Sequence, residues 1–557
     1  MTFAYSRQQL TPAERLQERC FEILPGAASW TILLSVLILS FWRPLLAAVL
    51  VIAIDLYWLL KLLYLTLFLV LSYVRLSVEQ RTDWMARARG IAAALRDPAA
   101  QPVPPPARDW RERVSQWVFW QQVAALRDSG QPLPSLEQIT HLVIIPIAKE
   151  AEEVIEPGLA SLARQQFPVR QILVVLAVEE RASAAVLAGV ARVRDRYREQ
   201  FRDVLLVVHP DGLPGEARVK GANATFGAKA AARYFAAHGI PFDHVIVSCL
   251  DADTVVGETY MACLTYHFMV CPTRTRASFQ PIPVYHNNIW EAPAFARVLD
   301  IGSSFFQLVE LTNAQTLVTF SSHSMSFKAL VDAGYWPTDL ISDDSAIFWK
   351  CFIHFDGAYR VIPMYVTLSM DIVNAGSWTR TAVHVYRQKR RWAWGVENFP
   401  IVARAFLRPS RIRLADKLRY SLKLLEGHVG WATWPILLNV IGWLPAVFVG
   451  REFPTSILYY SAPRITAVIF GLASLSLLTS IALSHACLPR PPGGLGLPAR
   501  LRHTLEWLLV PPISMYWGAL PALDAQTRLM LGRYMEFWVT EKRRAAPARA
   551  ASPAVAG

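Results

Sequence analysis

LVIIPIAKEAEEVIEPGLASLARQQFPVRQILVVLAV, residues 142–178, holds the pattern that decides the fold. Two apolar runs, 142–147 and 171–178, flank a stretch at 152–166 whose apolar residues recur at helical spacing. The runs are short and rich in Val and Ile, so they read as buried strands joined by a crossover helix. The alternation continues downstream. Residues 182–201 read as helix, DVLLVV (203–208) as strand, 222–239 as helix and HVIVSCL (244–250) as strand. Such alternation predicts an α/β domain built on a parallel sheet with helices on both faces. Ligands of these sheets lie beyond the carboxyl ends of the strands, so the residues that follow each strand are the functional candidates.

Outside this core the 557-residue chain changes texture. It is 53% apolar, and much of that is gathered into blocks at 27–41, 45–74, 431–450, 466–488 and 505–523. A membrane-spanning helix needs about 20 apolar residues. The first four blocks are therefore expected to span. The fifth carries Pro511, Pro512 and Pro521 and is expected to span or to be re-entrant. Only Arg43 lies between the first two blocks, whereas 404–423 carries seven Lys and Arg. That asymmetry puts the middle of the chain in the cytosol of a multi-pass protein of the cell (inner) membrane. No cleaved leader is expected, because a polar stretch precedes the first block and no small-residue cleavage site follows it. Asp55 and Lys61 fall inside the second block; the helix is expected to run past the bilayer, with Lys61 reaching the interface and neither residue assigned a role.

The organisation expected is a cytosolic segment (1–26), two membrane helices (27–75), a linker and amphipathic helix (76–137), and the α/β domain (138–400). A basic interfacial segment (401–430), a C-terminal membrane region (431–523) and a cytosolic tail with a disordered end (524–557) follow. Residues 98–107 are the proline-rich part of the linker. The six cysteines show no metal-ligand spacing and read as thiols of a reducing compartment.

The candidates sit at the strand ends. After the first strand comes Glu150, and after the second Glu179 and Glu180. Lys220 and Gly221 open the helix after the third, where a lysine and free backbone amides suit phosphate. The fourth strand runs into Asp251-Ala252-Asp253-Thr254. Two carboxylates straddling a turn can share Mg²⁺ or Mn²⁺, which in turn holds a diphosphate. Ser342-Asp343-Asp344 reads either as a helix cap or as a pair of acids, one of which serves as a base. In QKRRW (388–392), Arg391 offers a fork to phosphate oxygens and Trp392 a flat face to a sugar ring. Gln388 shares their helix face. Arg387, Lys389 and Arg390 are expected to face lipid headgroups or solvent.

The ordered set resembles a known family. PxxxE ending at Glu150, paired acids after the second strand, KGANAT, DADT, SDD and QKRRW resemble the family 2 glycosyltransferases. More narrowly, they resemble the membrane-integrated, processive branch that includes cellulose and hyaluronan synthases. The resemblance covers about residues 140–425 and implies a Rossmann-like GT-A domain that transfers sugar with inversion, in the presence of Mg²⁺ or Mn²⁺. It implies donor contacts at Glu150, Glu179, Glu180, Lys220, Asp251 and Asp253, with Asp253 the direct metal ligand. Asp344 is the implied general base, with Asp343 beside it. Gln388, Arg391 and Trp392 are implied to hold the diphosphate and the acceptor. The implied partners are a nucleotide-sugar (a UDP-sugar), membrane lipids, and a growing polysaccharide or a lipid acceptor. Two departures stand out. AVEERAS replaces the family's VDDGS, so Glu179 or Glu180 must read the nucleobase with a longer arm, and Asp343 stands where Glu is usual. His323, in FSSHSMSF, matches the acceptor loop in position alone.

Two other readings compete. One is transfer of a single sugar to a polyprenyl-phosphate or another lipid; the other is a non-catalytic membrane scaffold. Net charge is +13, yet the basic runs lie beside apolar blocks and no recognition motif accompanies them. Nucleic-acid binding is therefore not expected.

Overall fold

The computed structural model describes residues 3–96, 109–130, 132–447, 457–489 and 496–538. The stretch 98–107 and the end of the tail, 543–557, lie outside them.

The four strands read from the sequence are present. They are β1 (Thr140–Ile147), β2 (Ile172–Glu179), β3 (Asp203–His209) and β4 (Val245–Cys249). β1 pairs in parallel with both β2 and β4, and β3 extends β2 in parallel. β1 and β2 are buried along almost their whole length, which is why continuous apolar runs encode them. Each fully buried Val, Leu or Ile there contributes about 1.5–3 kcal/mol. Helices Glu152–Ala163, Ala184–Tyr197 and Lys220–Ala237 are the crossovers.

The sheet then departs from the all-parallel expectation. Four more strands follow: β5 (Val255–Val256), β6 (Ala277–Val284), β7 (Ser324–Ser326) and β8 (Arg360–Ser369). The order is β3-β2-β1-β4-β7-β6-β8-β5. β7 is antiparallel to β4 and β6, and β5 is antiparallel to β8. These two strands are too short to leave a periodic signal, so their direction was hidden in the sequence.

Two helices, Pro12–Trp42 and Pro44–Glu79, are long and apolar enough to cross a membrane. The first begins well before the block at 27, because Thr11 and Glu14 form a reciprocal cap. Residues 12–26 are thus one continuous helix with the apolar block rather than a separate segment. Its base is locked to the α/β domain through buried charges. Arg404 Nε donates to Glu18 Oε2 at 3.0 Å, and Arg7 pairs with Glu18 at 3.1 Å and Glu22 at 2.9 Å. Lys61 pairs with Glu426 and lies over the Trp58 ring, so the charge inside the second block has a protein partner.

Of the C-terminal blocks, the third is interrupted, the fourth is a single long helix and the fifth is broken into short pieces. The third does not form one span among the described residues: helix Leu414–Asn439 stops at Val440, and a 3-10 turn, Ile441–Trp443, follows. The fourth lies in helix Ile457–Cys487. The fifth is a chain of short pieces, Trp507–Leu509, Val510–Ile513, a π-helical turn Ser514–Ala519, and Leu520–Met530. Its prolines break it as expected. Leu520–Met530 packs between the first helix and helix Trp378–Ala393. Ser29 donates to Gln526 at 2.7 Å, and Gln526 donates to the His428 carbonyl at 2.7 Å. A methyl group on Gly26 would meet the Gln526 carbonyl at 2.9 Å, so the close approach requires glycine there.

Candidate active site

The site is centred on Lys220, the first residue of helix Lys220–Ala237. Its ammonium lies 2.7 Å from Asp251 Oδ1, 2.8 Å from Asp344 Oδ1 and 3.9 Å from Asp343 Oδ2. One buried cation thus gathers acids from two motifs. Gly221 makes this possible: a Cβ there would lie 2.4 Å from the Pro337 carbonyl and 3.0 Å from the Asp343 Cβ. Asn223 pins the helix to the sheet by donating to the Ala177 carbonyl at 2.8 Å. The three carboxylates raise the lysine pKa well above its usual value, against the opposing effect of burial.

The two aspartates of DADT play different parts. Asp251 Oδ2 accepts from Ser321 Oγ at 2.5 Å, and its backbone N–H donates to Ser322 Oγ at 3.2 Å. Ser322 holds a left-handed conformation, φ 60°, to do so, at a cost of roughly 1–2 kcal/mol. Asp253 is buried, and its Oδ2 accepts the Asp371 N–H at 2.8 Å. Asn287 braces both by donating to the Asp253 carbonyl and to Asp371 Oδ1, each at 2.9 Å. No group of three His, Cys, Asp or Glu residues able to hold a metal occurs among the described residues. The two aspartates fit a hard cation of the Mg²⁺ type, which takes one or two carboxylates and completes its shell with substrate phosphates and water.

Ser342 does not cap its helix. Helix Asp343–His354 has no side-chain cap bond, because the Ser342 hydroxyl donates instead to Glu397 Oε1 at 2.8 Å. The same oxygen accepts the N–H groups of Ile341 and Ser342 at 3.0 and 2.9 Å, and Glu397 Oε2 accepts Trp394 Nε1 at 2.8 Å. Asn398 adds a bond to Ser342 Oγ at 3.0 Å. The acid pair is therefore tied to the segment that follows QKRRW. Asp343 is buried, and Asp344 is a quarter exposed at its side chain.

Burial, and then the neighbouring Asp344 charge, push the Asp343 carboxyl well above the usual carboxylate range. The unfolded chain therefore ionises at lower pH than the folded one. Stability is lost as pH rises from the unfolded value, about 3.9, through the raised folded value. Asp343→Asn is accordingly expected to stabilise the protein by about 1 kcal/mol at neutral pH and to leave it unchanged near pH 4. Thermal unfolding in detergent at the two pH values checks this.

The QKRRW helix, Trp378–Ala393, closes the site. Arg391 stacks on Phe537 at 5.0 Å and bears electrostatically on Asp343. Gln388 is buried, and its Oε1 has no hydrogen-bond partner among the described residues. The Trp392 ring lies 5.9 Å from that of Tyr285. Burial raises the Tyr285 pKa well above the usual value, and Asp300, Asp251, Asp253 and Asp344 push the same way. Of the other cations of the stretch, Arg387 is exposed, as expected, whereas Lys389 and Arg390 are held by acids. Lys389 is buried, bonded to Asp300 Oδ1 at 2.7 Å and Ser303 Oγ at 3.0 Å, with its ammonium 3.7 Å over Trp392. Arg390 pairs with Asp524 at 2.8 Å, and Arg387 lies over Trp538. For Lys389 and Arg390, acids brought in by distant segments overrode the expectation drawn from local charge.

Glu150, Glu179 and Glu180 lie apart from the Lys220 cluster, whereas His323 lies within electrostatic reach of Lys220, Asp251 and Asp344. Glu150 Oε2 accepts the N–H groups of Ala148 and Lys149, closing its own turn. Glu179 and Glu180 line a cleft of about 110 Å³ beyond β2 and β3. His323 is buried, its Nδ1 facing the Phe320 carbonyl at 2.9 Å, and burial lowers its pKa.

Comparison with known proteins covers part of this region. Residues 246–481 match a family model described as Glycosyl transferase family group 2, which spans DADT, SDD and QKRRW. The matched segment is similar to that group, and the sheet it contributes to is of mixed α/β build. Among solved structures, the chain is similar to a mannosyltransferase from Pyrobaculum calidifontis in complex with GDP-Man and Mn²⁺. Identity is 16%, coverage 78% of this chain and 99% of that one, and the TM-score 0.38. It is also similar to S. aureus TarS 1–349 in complex with UDP, at 12% identity, 72% and 95% coverage and TM-score 0.32. No curated protein matches.

Proposed function

We propose that this chain transfers a sugar, with inversion, from a nucleotide-sugar to the hydroxyl of a growing polysaccharide at a membrane. The observation that carries the reading is the meeting of Asp251, Asp343 and Asp344 on Lys220, with Arg391 and the Tyr285–Trp392 pair at the same centre. Asp344 takes the proton of the acceptor hydroxyl, whose oxygen attacks the anomeric carbon as the bond to the diphosphate breaks. Lys220 now neutralises Asp344 and Asp251. The diphosphate of a bound donor draws that ammonium toward itself, so the base is released when the donor is in place. Arg391 meets the leaving charge. Mg²⁺ or Mn²⁺ held by Asp251 and Asp253 supplies further charge neutralisation when bound. Trp392 carries the acceptor sugar on the ring face not covered by Lys389. The two long apolar helices support placement in a membrane, and the Lys and Arg of 404–423 support a cytosolic catalytic domain.

One observation favours single transfer to a lipid as the second reading. A cavity of about 210 Å³ runs from Tyr285 to the ends of two apolar helices, walled by Leu76, Ile301, Phe305, Leu308 and Leu488.

The test is release of nucleoside diphosphate from a panel of nucleotide-sugars by the protein in lipid nanodiscs with Mg²⁺ or Mn²⁺. A ladder of products supports the polysaccharide and a single lipid-soluble product supports the second reading; no release from any donor rejects catalysis. In this assay Trp392→Ala is expected to lose at least ~100-fold in transfer, because the acceptor is no longer positioned. Membrane insertion should stay as in the wild type. Wild-type turnover in that variant would remove Trp392 from the acceptor site.

A further inference from the structure

Several hydroxyls of the long apolar helices fold back on their own backbone. Those of Ser40, Thr66, Thr433 and Thr479 each donate to the carbonyl four residues earlier, the usual resting place of a hydroxyl in an apolar helix. The bond described for Ser484 Oγ, near the end of helix Ile457–Cys487, goes instead to His503 Nε2 at 3.1 Å. His503 lies on helix Leu497–Glu506, and its other ring nitrogen, Nδ1, meets Glu506 Oε2 at 3.1 Å. His503 and Glu506 are three residues apart, so they share one helix face. Arg297 of helix Ala294–Glu310 holds Glu506 in turn, its Nε 3.3 Å from the same oxygen. All four side chains are buried.

The order of the partners places the proton. A carboxylate accepts and does not donate, so Nδ1 of the neutral ring carries the hydrogen and gives it to Glu506. Nε2 is then the acceptor, and the Ser484 hydroxyl donates to it. This is a nucleophile within reach of a base that an acid orients, an arrangement recognised by geometry and not by sequence position. The imidazole is also held from the side: the His485 ring stands edge-on at 5.0 Å and the Trp290 ring at 6.1 Å. Ser484 has open space beside it as well. It lines the cavity of about 210 Å³ together with Leu76, Phe305, Leu308, Cys487 and Leu488. Those walls suit a hydrocarbon chain, and the cavity sits where helices Pro44–Glu79 and Ile457–Cys487 end side by side.

We propose that Ser484, His503 and Glu506 form a second catalytic centre, which cleaves the ester of an apolar acyl chain lying in this cavity. Ser484 Oγ attacks the ester carbonyl while His503 Nε2 takes the hydroxyl proton. The ester C–O bond then breaks, and His503 returns that proton to the leaving alcohol, so the acyl group is left on Ser484. Water, deprotonated by His503, attacks the acyl-serine; the carboxylic acid leaves and the Ser484 hydroxyl regains its proton. Glu506 touches no reacting atom and is a positioning residue that holds the ring. Gln80 and Thr367 on the cavity wall offer donors to the carbonyl oxygen. The proposal is independent of the sugar-transfer reading, whose acids gather on Lys220.

The test uses the full chain in lipid nanodiscs with two probes, an alkyl fluorophosphonate that reacts with activated serines and p-nitrophenyl octanoate. Labelling at Ser484, read by peptide mass spectrometry, and release of nitrophenol are expected. Ser484→Ala should abolish the labelling and lower hydrolysis at least ~100-fold, with thermal unfolding and sugar transfer as in the wild type. His503→Gln, which keeps a hydrogen-bonding side chain but no base, should slow both by ~100-fold. Glu506→Gln should lower kcat for the octanoate about 10-fold with KM unchanged, and Glu506→Asp should restore part of it. A wild-type chain that carries no label on Ser484 would overturn the proposal and leave the hydroxyl a packing contact. So would hydrolysis unchanged in Ser484→Ala, or labelling at the wild-type rate in His503→Gln. Loss of sugar transfer alongside hydrolysis in Ser484→Ala would overturn it too, since that marks a structural role.

Discussion

Asp344→Asn is expected to reduce sugar transfer by about 10³-fold or more while the donor still binds. The substitution keeps the side chain's size and leaves the Lys220–Asp251 pair in place, so the cluster retains a charged anchor. What it removes is the oxygen that takes the acceptor proton. The measurement is a pair: donor dissociation constant by titration and kcat by diphosphate release. A kcat that collapses with donor affinity held within about 3-fold is the signature of a group acting only in the transition state. Full activity in Asp344→Asn, with loss in Asp343→Asn, would move the base to Asp343.

Lys389→Met should damage the fold itself. Lys389 and Asp300 are both almost fully buried, with side chains about 3% exposed, and they meet at 2.7 Å. Burial pushes the lysine pKa down and Asp300 pushes it back up, so the pair persists as mutual compensation. Removing one partner strands the other charge in the core, which costs about 3–5 kcal/mol. Lys389→Met should therefore lower the thermal transition sharply and reduce the yield of folded protein. The double variant Lys389→Met with Asp300→Leu, which strands no charge, should recover most of the loss. No recovery would mean that the ammonium over Trp392, and not the ion pair, carries the effect.

These two residues show what a sequence reveals and what it hides. Asp344 was legible because it stands in an ordered set with DADT and QKRRW. Lys389 was not: beside three arginines it reads as surface charge, and the acid that buries it lies 89 positions away. β1, β2 and β4 were legible because burial on both faces writes itself as unbroken apolar runs, and the half-buried β3 kept such a run as well. β5 and β7, of two and three residues, write nothing. Asp371, which gives its N–H to Asp253, follows β8 as Asp251 follows β4. Reading β8 as a strand would have found it by the strand-end rule. Glu397 was visible beside QKRRW, but its hold on Ser342 spans 55 positions and has no local trace.

The helix Leu520–Met530 has a consequence for how the protein comes into being. It wedges Asp524 against Arg390, next to Arg391 and Trp392, and joins Gln526 to Ser29 at the opposite end of the chain. The ribosome delivers this helix last among the described helices. A nascent chain still lacking it has the sheet and both acid motifs, yet QKRRW is without its brace. One short helix thus couples the two distant parts of the chain, and a chain cut before it loses both the Asp524 partner of Arg390 and the Gln526 partner of Ser29.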